Sequence, residues 1–498
     1  MPAKRVLVAI VATLSMHYMA DCAIAQSSPP AFEPGTLIIG YKSQADRQQA
    51  EKDLSATRGS VSVRGERAEN VQFEAVGNTA LKLRLDMPVR MRGRVNDDPK
   101  VELQILQETA RQIKDNNSRV EYAHPNWILK ANPVPPRVPI DVTALDKIVF
   151  PMSTGGPTVP NDYAFVRGLH WHYTAPPMGM NAIGAWKSVT GSKDVVVAVV
   201  DTGILLDHPD IQGSGNVLPG YNFVSKTGRS ADPTDPGDAC PQQGQTHPSW
   251  HGTHVAGTIG AVGSNNGRGI TGINWSVSVL PVRVLASCGG NFTDIAEAVR
   301  WAAGLPVAGV PTNTHPAHII NLSLGGNVPC TQDQAGLLIG ALADARAAGS
   351  VIVAAAGNDQ QDIKETTPGG CKGVISVAAS DEQGHLAWYS NFGNVSIMAP
   401  GGDTRSKDET GFQAGVWSTV QVSSINHEGI EPDQGTSMAA PHVSGALALA
   451  LAKHPEWRGK PDLIAKKLAD SAIALLPGAC PQPCGPGQLD AVRLLESH

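Results

Sequence analysis

Four short stretches carry side chains that could do chemistry. "VAVVDTGI" (197–204) ends an apolar run on Asp201, and "SWHGTHVAGTIGA" (249–261) holds His251 and His254. "VIVAAAGND" (351–359) ends on Gly357 and Asn358, and "GTSMAAPHVSGALALA" (435–450) holds Ser437 at the start of an apolar run. Asp-Thr-Gly belongs to two unrelated chemistries. An aspartic protease needs two such aspartates, close enough that repulsion keeps one proton between them. This chain has one; the nearest second candidate, "GGDTR" (401–405), lacks the glycine. The carboxylate-dyad reading is set aside.

The histidine stretch also fails a common test. A zincin places glutamate directly after the first histidine, in H-E-x-x-H, as the base beside the metal. Here Gly252 and Thr253 fill the gap. His251 opens a helix of small residues, where backbones approach closely and an imidazole can face a cleft. Ser437 could simply cap a helix. Against that, Gly435, Ala439 and Ala440 leave room for a substrate backbone, and a hydroxyl at a helix N-terminus sits where the macrodipole favours developing negative charge. Asn358 either satisfies a turn or aims its amide at an oxyanion, the largest electrostatic contribution in acyl transfer.

The elements that must position these groups change character along the chain. Lys, Arg, Asp and Glu are about twice as dense over 26–150 as beyond, which separates two kinds of domain. In the first part the pattern predicts strands over 36–43, 78–85 and 119–129 and helices over 46–54 and 99–116, a compact α+β domain. The proline-rich "ANPVPPRVP" (131–139) follows as an extended linker exposed to proteolysis. From about residue 180 short β-branched runs at 194–200, 277–285, 317–324, 351–357 and 374–379 show no clean alternation. Strands of a parallel sheet buried on both faces read this way. With alanine-rich helices between them, they predict a doubly wound, mostly parallel α/β sheet, whose sites form at the carboxyl ends of its strands.

The bulk numbers narrow the setting. The 498 residues exceed one ordinary domain, and a net charge of −6 offers no basic surface for nucleic acid or anionic lipid. Residues 1–25 combine Lys4 and Arg5, the apolar "VLVAIVATLSM" and "AIA" before Gln26, the order of a secretory signal peptide. Export would leave six cysteines, Cys240, Cys288, Cys330, Cys371, Cys480 and Cys484, in an oxidising compartment. Three disulfides are expected. Sequence does not choose among their pairings, and sequential pairing is favoured because only "PQP" separates Cys480 from Cys484. "GRGITG" (267–272) fits the dinucleotide fingerprint by spacing. It follows a helix and leads into a strand, the reverse of what that fingerprint needs.

Taken together, "VAVVDTGI", "HGTHVAG", "AAAGND" and "GTSMAAPHVSG" resemble the subtilases, serine peptidases of the subtilisin fold, over about residues 160–475, with the motifs in the family's chain order. The resemblance implies Asp201 as orienting carboxylate, His251 as general base and acid, Ser437 as nucleophile and Asn358 as oxyanion donor. It implies cleft walls at Ser323, Leu324, Gly325 and at Ala354, Ala355, Ala356, Gly357, where an extended peptide adds as a strand. It implies no organic cofactor, and a structural calcium with Asp210 and Asn265 as ligands. The N-terminal domain then looks like the family's ferredoxin-like inhibitory prodomain. The expected division is signal 1–25, prodomain 26–130, linker with the maturation cut 131–158 and catalytic domain 159–498. The product would be a secreted, monomeric endopeptidase acting on proteins and peptides, with no nucleic-acid partner and no membrane attachment once the signal is gone. The alternative is a catalytically dead subtilase fold used as a binding module.

Overall fold

In a computed structural model of the chain, residues 31–56, 60–64, 66–86, 98–131, 159–212, 216–237, 239–240, 248–260, 267, 269–407, 411–421 and 429–497 are described. The signal segment, most of the linker with its maturation cut, and Asn265 lie outside them.

The N-terminal domain runs β1 (Phe32–Tyr41), α1 (Gln44–Ala56), β2 (Gln72–Val76), β3 (Ala80–Arg84), α2 (Pro99–Asp115) and β4 (Val120–Leu129), with a short hairpin at Val61–Val63 and Glu66–Ala68. Its strands pair antiparallel in the order β4-β1-β3-β2. Helix α2 starts sharply because Asp98 accepts the Lys100 amide and Pro99 needs no donor there. Its Leu103, Ile105, Leu106 and Ala110 are buried, as the amphipathic spacing requires.

The second unit is built on a seven-stranded parallel sheet. Its strands are β5 (Val196–Asp201), Tyr221–Asn222, β6 (Ser278–Arg283), β7 (Ile319–Leu322), β8 (Val351–Ala355), β9 (Ile375–Ser380) and β10 (Ile397–Pro400). They lie in the order β10-β9-β8-β7-β5-β6 with Tyr221–Asn222 at the far edge. The chain winds one way from β5 and the other way from β7, so the order reverses between these two neighbours. That switch point is where a doubly wound sheet opens a crevice. The buried runs alternate between two cores: Val197 and Val199 pack on one side of the sheet, Val196, Ala198 and Val200 on the other.

Helices α3 (His251–Gly260) and α6 (Thr436–Lys453) cover the first side, and α4 (Phe292–Ala302) and α5 (Gln332–Ala347) the second. Helix α6 is buried from Thr436 to Leu451. A helix apolar all round belongs in the middle of a protein. An antiparallel hairpin, β11 (Val416–Val420) with β12 (Gly429–Asp433), packs beside α3. Disulfides join Cys240 to Cys288, Cys330 to Cys371 and Cys480 to Cys484.

Histidines lie deep beside α6. His442 Nδ1 is 2.8 Å from the Met438 carbonyl, so that nitrogen carries the proton and Nε2 accepts from His172 Nδ1, also at 2.8 Å. Burial pushes His442 down to about 4 and, on the neighbouring segment, His170 down to about 3. These bases stay neutral in the folded protein while the unfolded chain protonates them below about 6.5. Stability should therefore be full above that pH and fall as the pH drops from about 6.5 toward 4. Melting temperatures between pH 8 and 4 check this; a flat profile would mean the cluster takes up protons without cost.

Candidate active site

Strand β5 ends on Asp201, and Gly203 then turns the chain with a φ of +99°. The Thr202 amide donates to Asp201 Oδ1 at 2.7 Å. His251 Nδ1 lies 2.8 Å from the same oxygen, and both side chains are buried, at 1% and 0% exposure. A carboxylate only accepts, so Nδ1 carries the proton and Nε2 points away from Asp201. The approach depends on Gly252. A Cβ there would lie 2.2 Å from the Gly203 carbonyl oxygen. Further along α3, a Cβ on Gly257 would lie 2.2 Å from Thr419 Oγ1. The small residues of "HGTHVAG" are thus required by a helix pressed between a strand end and the β11–β12 hairpin.

The second histidine of that motif is structural. His254 Nε2 donates to the Val416 and Glu431 carbonyls, at 2.9 and 3.2 Å, and so ties α3 to the hairpin.

Ser437 is the second residue of α6; the cap position is Gly435, at φ +147°. Its Oγ donates to the Ser323 carbonyl at 3.1 Å. Four residues on stands Pro441, which has no N–H to offer the Ser437 carbonyl. Ser323 Oγ takes that place at 2.8 Å, accepting in turn from Asn321 Nδ2 at 2.9 Å, while Ser444 Oγ donates to Asn321 Oδ1 at 2.8 Å. All four side chains are buried. The proline frees a carbonyl inside the helix, and the carboxyl end of β7 satisfies it, which locks the two elements together.

Asn358 follows β8. Its Oδ1 accepts both the amide and the Oγ1 of Thr436, at 2.9 and 2.8 Å, and Thr436 Oγ1 accepts the Gly357 amide at 3.0 Å. With its oxygen held by two donors, the side chain has its Nδ2 left to donate. Asn358 is only partly buried, so that amide is accessible. Nothing in the sequence distinguished Thr436 as the group that orients it.

The expected cleft walls separate into two kinds. Gly325 exchanges two backbone hydrogen bonds with Lys130, at 3.0 and 2.9 Å, and Leu129 and Ile128 pair with Gly290 and Asn291. The end of β4 thus lies as an added antiparallel strand between these two segments. Leu324, Ala354, Ala355 and Ala356 instead bury their side chains in the cores. Ser323 and Gly357 bond α6 as described. The loop 365–373 is fastened to the far wall by the Cys330–Cys371 bridge and by reciprocal Gly326–Thr367 hydrogen bonds of 3.0 and 3.1 Å.

Asp210 lies apart from this group. Its carboxylate is 2% exposed and accepts the Ile270 amide at 3.0 Å, and a Cβ on Gly269 would lie 1.8 Å from Oδ2. The buried carboxylate thus faces the backbone at Gly269 and Ile270. Among the described residues no group of three or more His, Cys, Asp or Glu could hold a metal ion.

A serine, an imidazole and a carboxylate thus stand at two helix starts and a strand end of a doubly wound α/β sheet. Residues 192–487 match the model of the subtilase family, and the chain belongs to that family. It is 39% identical over 335 residues to an extracellular protease of Xanthomonas campestris pv. campestris, covering 64% of this chain and 54% of that one. The chain spans about half the length of the first curated relatives it matches. A solved protease structure from Pseudoalteromonas arctica PAMC 21717 is 40% identical, with a TM-score of 0.61 over 68% of this chain and 98% of that one. Fervidolysin from Fervidobacterium pennivorans, at 22% identity, shares the fold with a TM-score of 0.64 over 95% of this chain and 62% of its own.

Gly252→Ala should force α3 away from the end of β5 and cost about 1–3 kcal/mol, the usual range for overpacking. Thermal unfolding measures the loss. Proton NMR should show the downfield His251 Nδ1 resonance weaken or vanish; an unchanged resonance would mean the contact tolerates a side chain.

Proposed function

We propose that this chain is the precursor of a secreted serine endopeptidase that hydrolyses peptide bonds in proteins through an acyl-enzyme on Ser437. The observation that carries the reading is the buried Asp201–His251 hydrogen bond, which puts the proton on Nδ1 and turns Nε2 away from the carboxylate. Serine is a poor nucleophile until a base takes its proton. Ser437 Oγ rotates from the Ser323 carbonyl to His251 Nε2, gives up its proton there and bonds the scissile carbonyl carbon. Asn358 Nδ2 donates to the oxyanion that forms. The proton on Nε2 passes to the departing amine nitrogen. Water then enters, gives a proton to His251 Nε2 and bonds the acyl carbon; the bond from that carbon to Ser437 Oγ breaks, the acid departs and Nε2 returns the proton to Oγ. Asp201 holds the tautomer throughout.

The division proposed is signal 1–25, prodomain 26–130, linker with the maturation cut 131–158 and catalytic domain 159–498. The four-stranded order β4-β1-β3-β2 with two helices supports a ferredoxin-like prodomain. Its inhibitory role is supported by the pairing of Lys130 with Gly325, since the strand position a substrate would take is filled by the domain's own tail. Export is supported by the signal-like leader and the three disulfides; no described helix is long and apolar enough to cross a membrane. The mature enzyme is proposed to act as a monomer. No organic cofactor enters the reaction. Calcium would be held by Asp210, with Asn265 and loop carbonyls as further oxygen ligands, and would supply rigidity rather than chemistry.

A fluorophosphonate probe should label Ser437 in the secreted protein. Labelling elsewhere, or none, would favour the inactive binding-module reading. Ser437→Ala should lower turnover by about 10⁶ and leave the N-terminal domain attached, seen as an unshifted band on a denaturing gel. Asn358→Ala should lower kcat by about 10²–10³ with little change in KM; an unaltered kcat would refute its role at the oxyanion.

A further inference from the structure

A second aspartate reaches the end of β5. Asp235 stands in the segment that runs past this strand, where Thr234 bridges Ile204 and the Asp235 amide donates to the Ile204 carbonyl at 3.2 Å. Its side chain is 6% exposed. Oδ2 accepts the Thr202 hydroxyl at 2.6 Å and Oδ1 accepts the Gly237 amide at 2.9 Å.

The direction of these bonds matters. The Thr202 hydroxyl has a single proton, and Asp235 takes it. The oxygen is then left to accept, and it accepts the Gly252 amide at 3.0 Å. Gly252 follows His251 at the first turn of α3, where amides have no intrahelical partner. Thr202 also gives its own amide to Asp201, and its carbonyl accepts Arg283 Nε at 3.1 Å. One residue therefore bonds both Asp201 and the amide that follows His251, and Asp235 decides which way its hydroxyl points. Burial pushes Asp235 up to about 6; the Thr202 and Gly237 hydrogen bonds oppose this, the Asp201 carboxylate adds to it and the Arg283 guanidinium counters.

We propose that Asp235 is a positioning residue for acyl transfer at Ser437, acting through Thr202 to fix the start of the helix that carries His251 against Asp201. The inference rests on the serine-peptidase reading. A carboxylate that only supported a loop would have no reason to orient a hydroxyl whose other partner is the catalytic helix.

The test uses the full chain, secreted and processed, with a peptide p-nitroanilide as substrate between pH 5 and 9. Asp235→Ala and Thr202→Val should each lower kcat by about tenfold or more, as loss of a buried charge-assisted hydrogen bond does, with KM within about twofold. Thr202→Ser, which restores the hydroxyl, should return kcat to near the unmodified value. Asp235→Asn keeps an acceptor oxygen but removes a negative charge near the Asp201–His251 pair. It should retain most of the turnover and move the acid limb of kcat/KM to lower pH by about 0.2–0.5 unit.

Unaltered kcat in Asp235→Ala and Thr202→Val with an unmoved acid limb, or a loss confined to KM, would overturn the proposal. If Asp235→Ala does not fold, Asp235→Asn and Thr202→Val decide it on the same readouts. Fluorophosphonate labelling of the unmodified protein keeps the two levels apart. No label at Ser437 removes the peptidase reading and this inference with it, whereas a labelled enzyme with indifferent variants removes only the role of Asp235.

Discussion

The rest of the site depends on one buried contact, the hydrogen bond between Asp201 and His251. Two ionisable side chains at 0% and 1% exposure are tolerable only because each supplies what the other lost on leaving water. That requirement dictates the backbone around them. Helix α3 must begin against the end of β5, and with the Gly203 carbonyl so close only a residue without a Cβ fits at 252. The same helix must fit beside the β11–β12 hairpin, which limits position 257 in the same way. Small residues in this motif are therefore a packing condition for the chemistry beside them.

A similar logic holds the other half of the site. Helix α6 is buried along most of its length, yet its first turns must present polar groups to neighbours. Pro441 withholds a donor from the Ser437 carbonyl, and Ser323 supplies one from the end of β7. Thr436 fixes the Asn358 oxygen and so decides where its amide is free to donate. Ser437 and Asn358 are thus positioned by residues next to them in space. The N-terminal domain uses what remains. A strand edge at Gly325 offers unpaired backbone groups, and the end of β4 satisfies them. The domain docks on α5 through Tyr122, whose ring covers Gly336, and through Trp127, whose indole donates to the Gln334 carbonyl, and on α4 through Asn126, whose Oδ1 accepts from the Thr293 hydroxyl.

Much of this was legible in the sequence because its physical causes are local. Continuous β-branched runs mark strands covered on both faces, and the predicted strands over 194–200, 277–285 and 317–324 each fall within a few residues of β5, β6 and β7. The apolar period marked α2 equally well. The two-residue strand Tyr221–Asn222 carries no comparable pattern, since it is too short to show a period and pairs with β6 some sixty positions away. His254 illustrates the limit. Its spacing from His251 allowed metal binding or simple packing, and only the hairpin carbonyls show that it ties α3 to its neighbour. Asp235 was equally silent, because its meaning lies in a hydroxyl 33 positions away.

By itself the sequence determined the composition of the site: one aspartate at a strand end, one histidine opening a helix of small residues, one serine among glycine and alanine, and one asparagine after a buried strand. It also excluded a carboxylate dyad and a glutamate-assisted zinc site, since those require residues the chain does not have. Tertiary structure alone decided which nitrogen of His251 faces Asp201, which donors hold the Asn358 oxygen and which strand pairs with Gly325. The reason is physical. Residue type sets what a group can donate or accept, while direction is set by partners that folding brings from 50 to 114 positions away.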